Sequence, residues 1–167
     1  MRVPLFRDHP SFRRTRPGPL AGKRVLAAAA PTECDARSVR RLWRRLRPLG
    51  VELKVTTECH GEARAESGRP LFPALLLVEA RPEAWDALIF VGGAGAARMA
   101  RDPFARELAN RFAAAGKILG ALGEGTVVLA AAQLGGLREE DPDELVRALA
   151  RQLGLPAPAR APLSRPV

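Results

Sequence analysis

The residues of this 167-residue chain that could do chemistry are few, and most of them lie beside turns. Glu33 and Cys34 follow an apolar run (residues 23–30, KRVLAAAA) that Pro31 closes. Glu124 stands between Gly123 and Gly125, directly after a second apolar run (residues 117–122, KILGAL). Carboxylates so placed can act as general acid and base, or hold a divalent cation, if the fold brings two of them together. A thiol at a helix start can serve as a nucleophile or redox group, but a small buried residue is the simpler reading of Cys34. Cys59-His60-Gly61 falls in a polar, turn-rich stretch with no apolar helix behind it, and reads as an exposed loop thiol. His9 has no companions in the sequence. The two cysteines lack the spacing of a zinc site or a disulfide framework. A reducing cytoplasm is therefore the expected compartment; no metal and no cofactor are expected.

The elements that must position these residues can be read from hydrophobic period. Residues 23–30 fit a buried parallel strand, stopped by Pro31. Asp35 can cap a helix over 35–47, and Val39, Leu42, Trp43, Leu46 and, just beyond that range, Leu49 form one apolar stripe. Pro48 and Gly50 end it. Residues 51–57 alternate as a second strand, 58–73 read as a loop, and 74–79 as a short strand or extended segment. Residues 86–91 (DALIFV) make an apolar strand ending in Gly92-Gly93. A helix over 103–115, the strand 117–122, a tight turn at 123–125 and a helix over 126–133 follow. Asp141 caps a last helix through Leu153, with Pro142 in its first turn. Strands alternating with amphipathic helices imply an α/β domain with a parallel sheet covered on both faces. The domain is expected over 23–154, after a basic arm (1–22) that is flexible or laid over the surface. A Pro/Ala/Arg-rich tail (155–167) is expected to be disordered.

The run DALIFVGGAGAARMARDPFARELANRFAAAGKILGALGEGTVVLAAAQLGG (86–136) resembles the ThiJ/PfpI superfamily, which has the class I glutamine-amidotransferase-like fold. GKRVLAAAAPTECD (22–35) is similar to that family's first strand and the acidic turn after it. The resemblance implies a flavodoxin-like three-layer α/β/α sandwich with a mostly parallel sheet. Only residues 137–140 separate the 126–133 helix from the last one, so the sandwich is expected to be trimmed at its C-terminal side. Family members project a cysteine nucleophile from the elbow between strand and helix, where backbone amides receive an oxyanion. By resemblance Gly93 matches the oxyanion glycine, Glu33 the acid that bonds the cysteine, and Gly125 the elbow glycine. Gly123 stands where the family has its cysteine, and Glu124 where many members have histidine. Glycine cannot attack or form a thioester, and the elbow backbone is free to relax around it. The resemblance also implies that Glu33 and Glu124 meet over one pocket. Otherwise Glu124 points to solvent or pairs with an arginine such as Arg98. Cys59-His60-Gly61 spells the family's catalytic tripeptide, but after the wrong strand.

Charge narrows the function classes. The net charge is +9, yet residues 1–54 carry +10 and the remainder −1. The excess belongs to the arm and to Arg37, Arg40, Arg41, Arg44, Arg45 and Arg47 on one helix. No apolar run is long enough to span a membrane, and no Rossmann fingerprint, helix-turn-helix or zinc motif is present. The expected function is that of a non-catalytic ThiJ/PfpI-like protein, a pseudoenzyme. Its pocket of Glu33, Gly93, Gly123, Glu124 and Gly125 would bind a small ligand, or the chain would serve as an assembly module. A homodimer is expected by resemblance. Two alternatives stay open: a hydrolase or lyase using Glu33 with Glu124 or Cys34, and an anionic-polymer (nucleic-acid) binder using the arm and the arginine helix.

Overall fold

The computed structural model describes residues 17–58, 63–65, 67, 70–71 and 73–156. In chain order these form β1 (Arg24–Ala28), β2 (Thr32–Cys34), α1 (Ala36–Leu46), β3 (Glu52–Thr57), β4 (Ala63–Ala65), β5 (Pro70–Leu71) and β6 (Leu75–Leu76). Then follow β7 (Ala87–Phe90), α2 (Ala96–Arg101), α3 (Pro103–Ala114), β8 (Ile118–Leu122), α4 (Thr126–Ala131), β9 (Leu137–Glu139) and α5 (Pro142–Gln152). Six strands make one sheet in the order β6-β3-β1-β7-β8-β9, and every neighbouring pair is parallel. Ala28 is in register with Thr56 on one side and with Phe90 on the other.

The apolar runs exist because both faces of this sheet are covered. Val25, Ala27, Leu53, Val55 and Ile89 face one core, closed by Val39, Leu42 and Leu46 of α1 and Leu145 and Leu149 of α5. Leu26, Ala28, Leu88, Phe90 and Ala121 face the other, closed by Met99 of α2, Leu108 and Phe112 of α3, and Val128 and Leu129 of α4. The molecule is therefore a three-layer α/β/α sandwich, as the pattern of the sequence implies. Aspartates open three helices: Asp35 accepts the Ser38 N–H (3.0 Å), Asp102 that of Phe104 (2.9 Å) and Asp141 that of Asp143 (3.0 Å). Each satisfies a donor that the first turn leaves unpaired.

The structure corrects the sequence reading in four places. Residues 58–73 are not simply a loop: β2, β4 and β5 form a small second sheet, with Cys34 in register with Ala65. Residues 96–101 form a helix, α2, where none was expected. The bare connector 137–140 contains β9, which pairs with β8 from Gly120↔Leu137 to Leu122↔Glu139 and completes the sheet edge. The segment 74–79, expected to be a short strand or extended throughout, is a two-residue strand before a 3-10 turn over Leu77–Glu79.

The described part of the arm lies against the domain. Leu20 is buried, and its N–H donates to the Leu49 carbonyl (2.8 Å). At the other end Leu155, placed in the tail, packs half-buried on the α1/α5 core. His9, Cys59, His60 and Gly61, most of the arm and residues 157–167 lie outside the described residues.

The arginine face of α1 is partly spent on α5. Arg41 and Arg45 each donate two hydrogen bonds to the Asp143 carboxylate (2.9–3.1 Å), and Arg41 also reaches Asp141 (3.4 Å). These bonds hold the Asp143 carboxyl down to about 2. Arg47 lies over the Trp43 ring (5.1 Å to its centroid). No described helix is long and apolar enough to cross a membrane.

Candidate functional site

The chain leaves β1 towards β3 on one side and returns through β7 on the other. The loops at the carboxyl ends of β1 and β7 therefore diverge, and such a crevice is where parallel α/β sheets place their sites. Four segments converge there. They are the turn into β2, the Gly92-Gly93 loop after β7, the Gly123–Gly125 3-10 turn after β8, and the end of β3. The first two are stitched together by backbone: the Asp35 N–H donates to the Gly92 carbonyl (2.9 Å) and the Gly95 N–H to that of Glu33 (3.2 Å). Gly93 adopts φ +104°, and any side chain there would collide with the Glu33 carbonyl oxygen. Glycine is needed for the loops to approach this closely.

Glu124 is the central side chain. Its Oε2 accepts the N–H of Gly93 at 3.0 Å, and its own backbone N–H also bonds the carboxylate. These donors hold its carboxyl below the ordinary glutamate value, against partial burial and the nearby Asp35 charge, which both raise it. The space is made by Gly92, where a Cβ would stand 2.5 Å from Oε2. Glu124 does not pair with Arg98; the residue is exposed, but its carboxylate is turned onto the Gly93 amide rather than left free in solvent. Arg98 instead faces Glu58, its Nε 3.8 Å from Oε2.

Glu33 and Glu124 do not form a hydrogen-bonded pair. The Glu33 backbone builds the site, but its exposed carboxylate makes no hydrogen bond or ion pair among the described residues. Its φ of +53° lies in the left-handed region, a strain of roughly 1–3 kcal/mol for a non-glycine residue. Such strain gathers at functional sites, and here it coincides with the register irregularity of β2 between Thr32 and Cys34. Cys34 is fully buried in β2, its Sγ 3.7 Å from the Arg64 carbonyl oxygen. That is the position of a packed core residue rather than a reagent-accessible nucleophile. Among the described residues no group of three or more His, Cys, Asp or Glu is placed to hold a metal ion.

Gly123 keeps φ +54°, so the elbow has not relaxed. Among the described residues a Cβ there would meet only Glu140 Oε2, at 3.6 Å, an ordinary contact. Gly125, two residues on, is the opposite case: its Cβ would overlap the Phe90 carbonyl oxygen and lie 2.7 Å from the carbonyl carbon. The elbow is open at 123 and closed at 125.

Sequence reasoning missed Glu58, which extends the site along the end of β3. Its Oε1 is buried without a hydrogen bond. Burial and then the Asp102 charge push its carboxyl up, and Arg98 only partly offsets them. Thr56, next on the same face of the strand, also has a buried hydroxyl with no partner. The sequence signal was its place, an acid at the carboxyl end of an alternating strand.

Comparison with known proteins agrees with this architecture. The model of the DJ-1/PfpI family matches residues 23–139. No curated protein sequence matches the chain. A ThiJ/PfpI domain protein from Brachyspira murdochii superposes with a TM-score of 0.65 at 22% identity, over 83% of this chain and 81% of that one. A DJ-1 superfamily protein from Salmonella typhimurium gives 0.65 at 22% identity, over 79% and 91%. One from Agrobacterium tumefaciens gives 0.64 at 17% identity, over 81% and 92%.

Proposed function

Because the chain belongs to the DJ-1/PfpI family, we propose that it is a non-catalytic member that keeps the elbow pocket for a small ligand. The observation that carries this reading is the state of the elbow. Gly123 offers no nucleophile at the position that resembles the family's cysteine, and the Gly93 amide beside it bonds the Glu124 carboxylate (3.0 Å). Acyl transfer needs a nucleophile and vacant donors for a developing oxyanion. Among the described residues the elbow carries no nucleophilic side chain at 123, and its Gly93 donor is already occupied. The crevice, its divergent loops and its glycine-lined approach support retained binding. Its lining would be Glu33, Gly93, Gly123, Glu124 and Gly125.

The rival chemistries find less support. A carboxylate acid–base pair needs one carboxyl raised by the other, whereas Glu124 is lowered. A thiol mechanism through Cys34 needs access that its burial denies. Binding of an anionic polymer through α1 loses Arg41 and Arg45 to Asp143. A reducing cytoplasm suits the two cysteines. Family members often assemble as oligomers, and a homodimer is the assembly proposed, to be checked by sedimentation velocity.

The test of the central reading is turnover of an activated ester, p-nitrophenyl acetate, by wild type, Glu33→Gln, Glu124→Gln and Cys34→Ser. Equal background rates in all four are expected. A wild-type rate that falls at least about tenfold in any variant, a loss of about 1.4 kcal/mol of transition-state stabilisation, would overturn it.

A further inference from the structure

We infer that Glu124 is an internal ligand, and that the molecule entering this pocket is a small singly charged carboxylate that displaces the Glu124 side chain. The inference rests on the ligand-binding reading above and names its ligand class. Two N–H groups, those of Gly93 and Glu124 itself, converge on one carboxylate. Glycine at 92 clears the volume that this carboxylate fills, since a Cβ would stand 2.5 Å from Oε2. Glycine at 123 leaves space on the other side, bounded among the described residues by Glu140 Oε2 at 3.6 Å from a would-be Cβ. What these groups hold is a carboxylate oxygen, so a ligand carrying the same group reproduces every contact on the amides. The tether is a side chain of an exposed residue, free to swing out.

The surroundings set the charge of the ligand. Asp35 is near enough for Glu124 to feel its charge, and its own bonds to Ser38 keep it fixed at the start of α1. Glu140 borders the open side, and Glu33 stands on the neighbouring loop. Arg98 of α2 is turned to Glu58. A monoanion that takes the place of the Glu124 carboxylate restores one negative charge at the amides, while the displaced carboxylate moves out to solvent, where water screens it. A dianion such as phosphate adds a charge that no described cation compensates.

The Gly93 amide resonance in a 1H–15N spectrum reports the exchange directly, with sodium acetate and inorganic phosphate as probes at constant ionic strength. In Glu124→Ala, acetate is expected to shift the Gly93 amide saturably, at least about tenfold more tightly than in wild type, and phosphate to leave it in place. Glu124→Gln, whose carbonyl oxygen can still accept the Gly93 N–H, is expected to fall between them. Equal acetate affinity in wild type and Glu124→Ala would overturn the inference. So would a Gly93 resonance unmoved by acetate in the alanine variant, or phosphate binding there as tightly as acetate. Ester turnover by wild type would sink the non-catalytic reading without moving any of these shifts, so the two failures are distinguishable.

Discussion

Alanine at the two elbow glycines should give sharply unequal results, although they are two residues apart. At Gly123 the new Cβ meets nothing among the described residues closer than Glu140 Oε2 at 3.6 Å, so the cost is backbone alone. Holding alanine at φ +54° costs roughly 1–2 kcal/mol. Stiffening the unfolded chain returns about 0.4–1 kcal/mol. The net loss is about 0.5–1 kcal/mol. At Gly125 the φ of −57° suits alanine, but the Cβ would overlap the Phe90 carbonyl. That carbonyl ends a central strand and cannot swing aside as a side chain can. Overpacking costs about 1–3 kcal/mol, and a backbone obstacle in the middle of the sheet puts this case at the upper end, about 3 kcal/mol. For a chain of this size each kcal/mol moves Tm by roughly 2–4 °C. Gly123→Ala should therefore lower Tm by about 1–4 °C and Gly125→Ala by about 6–12 °C. Calorimetry and urea unfolding followed by the fluorescence of buried Trp85 would measure both. Equal losses, or the reverse order, would refute the picture of an elbow open at 123 and closed at 125.

Asp143, held down to about 2 by Arg41 and Arg45, has a depressed folded value, so its stabilising contribution is full above the ordinary aspartate value of 3.8. Wild type should exceed Asp143→Asn in urea midpoint at pH 7, and the gap should close as pH falls from about 4 towards about 2. Glu58 has the opposite sign: its folded value is raised above 4.5, so its charged form opposes folding above that pH. Glu58→Gln should raise the neutral-pH Tm, with the gain vanishing below the ordinary glutamate value; a loss of stability at pH 7 would show that the Arg98 contact outweighs burial. Gly123→Cys, made with Cys59→Ser, should fold yet react with iodoacetamide as a thiol of ordinary or higher pKa, about 8.5 or above. Adding Glu124→Ala should lower that midpoint, and a thiol activated while Glu124 is present would count against its hold on the Gly93 amide.

The layers were legible because their causes are local. KRVLAAAA, DALIFV and KILGAL are apolar on both faces, and the stripe Val39, Leu42, Leu46 repeats at helical spacing, so β1, β7, β8 and α1 announce themselves. The missed elements owe their structure to partners far along the chain. β2 and β4 are three residues each, too short for a period, and become strands only by pairing across some thirty positions. α2 follows Gly92-Gly93-Ala94-Gly95, a composition that reads as a turn, and Met99 alone marks its buried side as a large residue. β9 pairs on one edge and half-buries Leu137. The site divides in the same way. Its glycines and Glu124 were visible as types in a turn, but the bond from Gly93 to Glu124 joins residues 31 apart. Which donor a carboxylate finds across such a distance depends on the sheet register, not on its own neighbours.

Under the proposed reading, Gly123 and Glu124 are one physical change rather than two. A thiolate at 123 and a carboxylate at 124 would compete for the same amides. Each would also raise the other's pKa beside Asp35 and Glu140, so the combination disarms the thiol it would accompany. Remove the thiol and the logic reverses. The Gly93 N–H, aimed inward by a loop that must pass against the Glu33 carbonyl, then lacks a partner, and leaving such a donor unpaired costs about 1–3 kcal/mol. A glutamate at 124 satisfies it from the adjoining turn, and glycine at 123 leaves that carboxylate room. The retained φ of +54° fits this account, because the turn geometry that would present a nucleophile also aims the next side chain back at Gly93. A pocket shaped to stabilise a charge that forms and disappears becomes one that carries a permanent charge. Whatever binds there must first exchange with it.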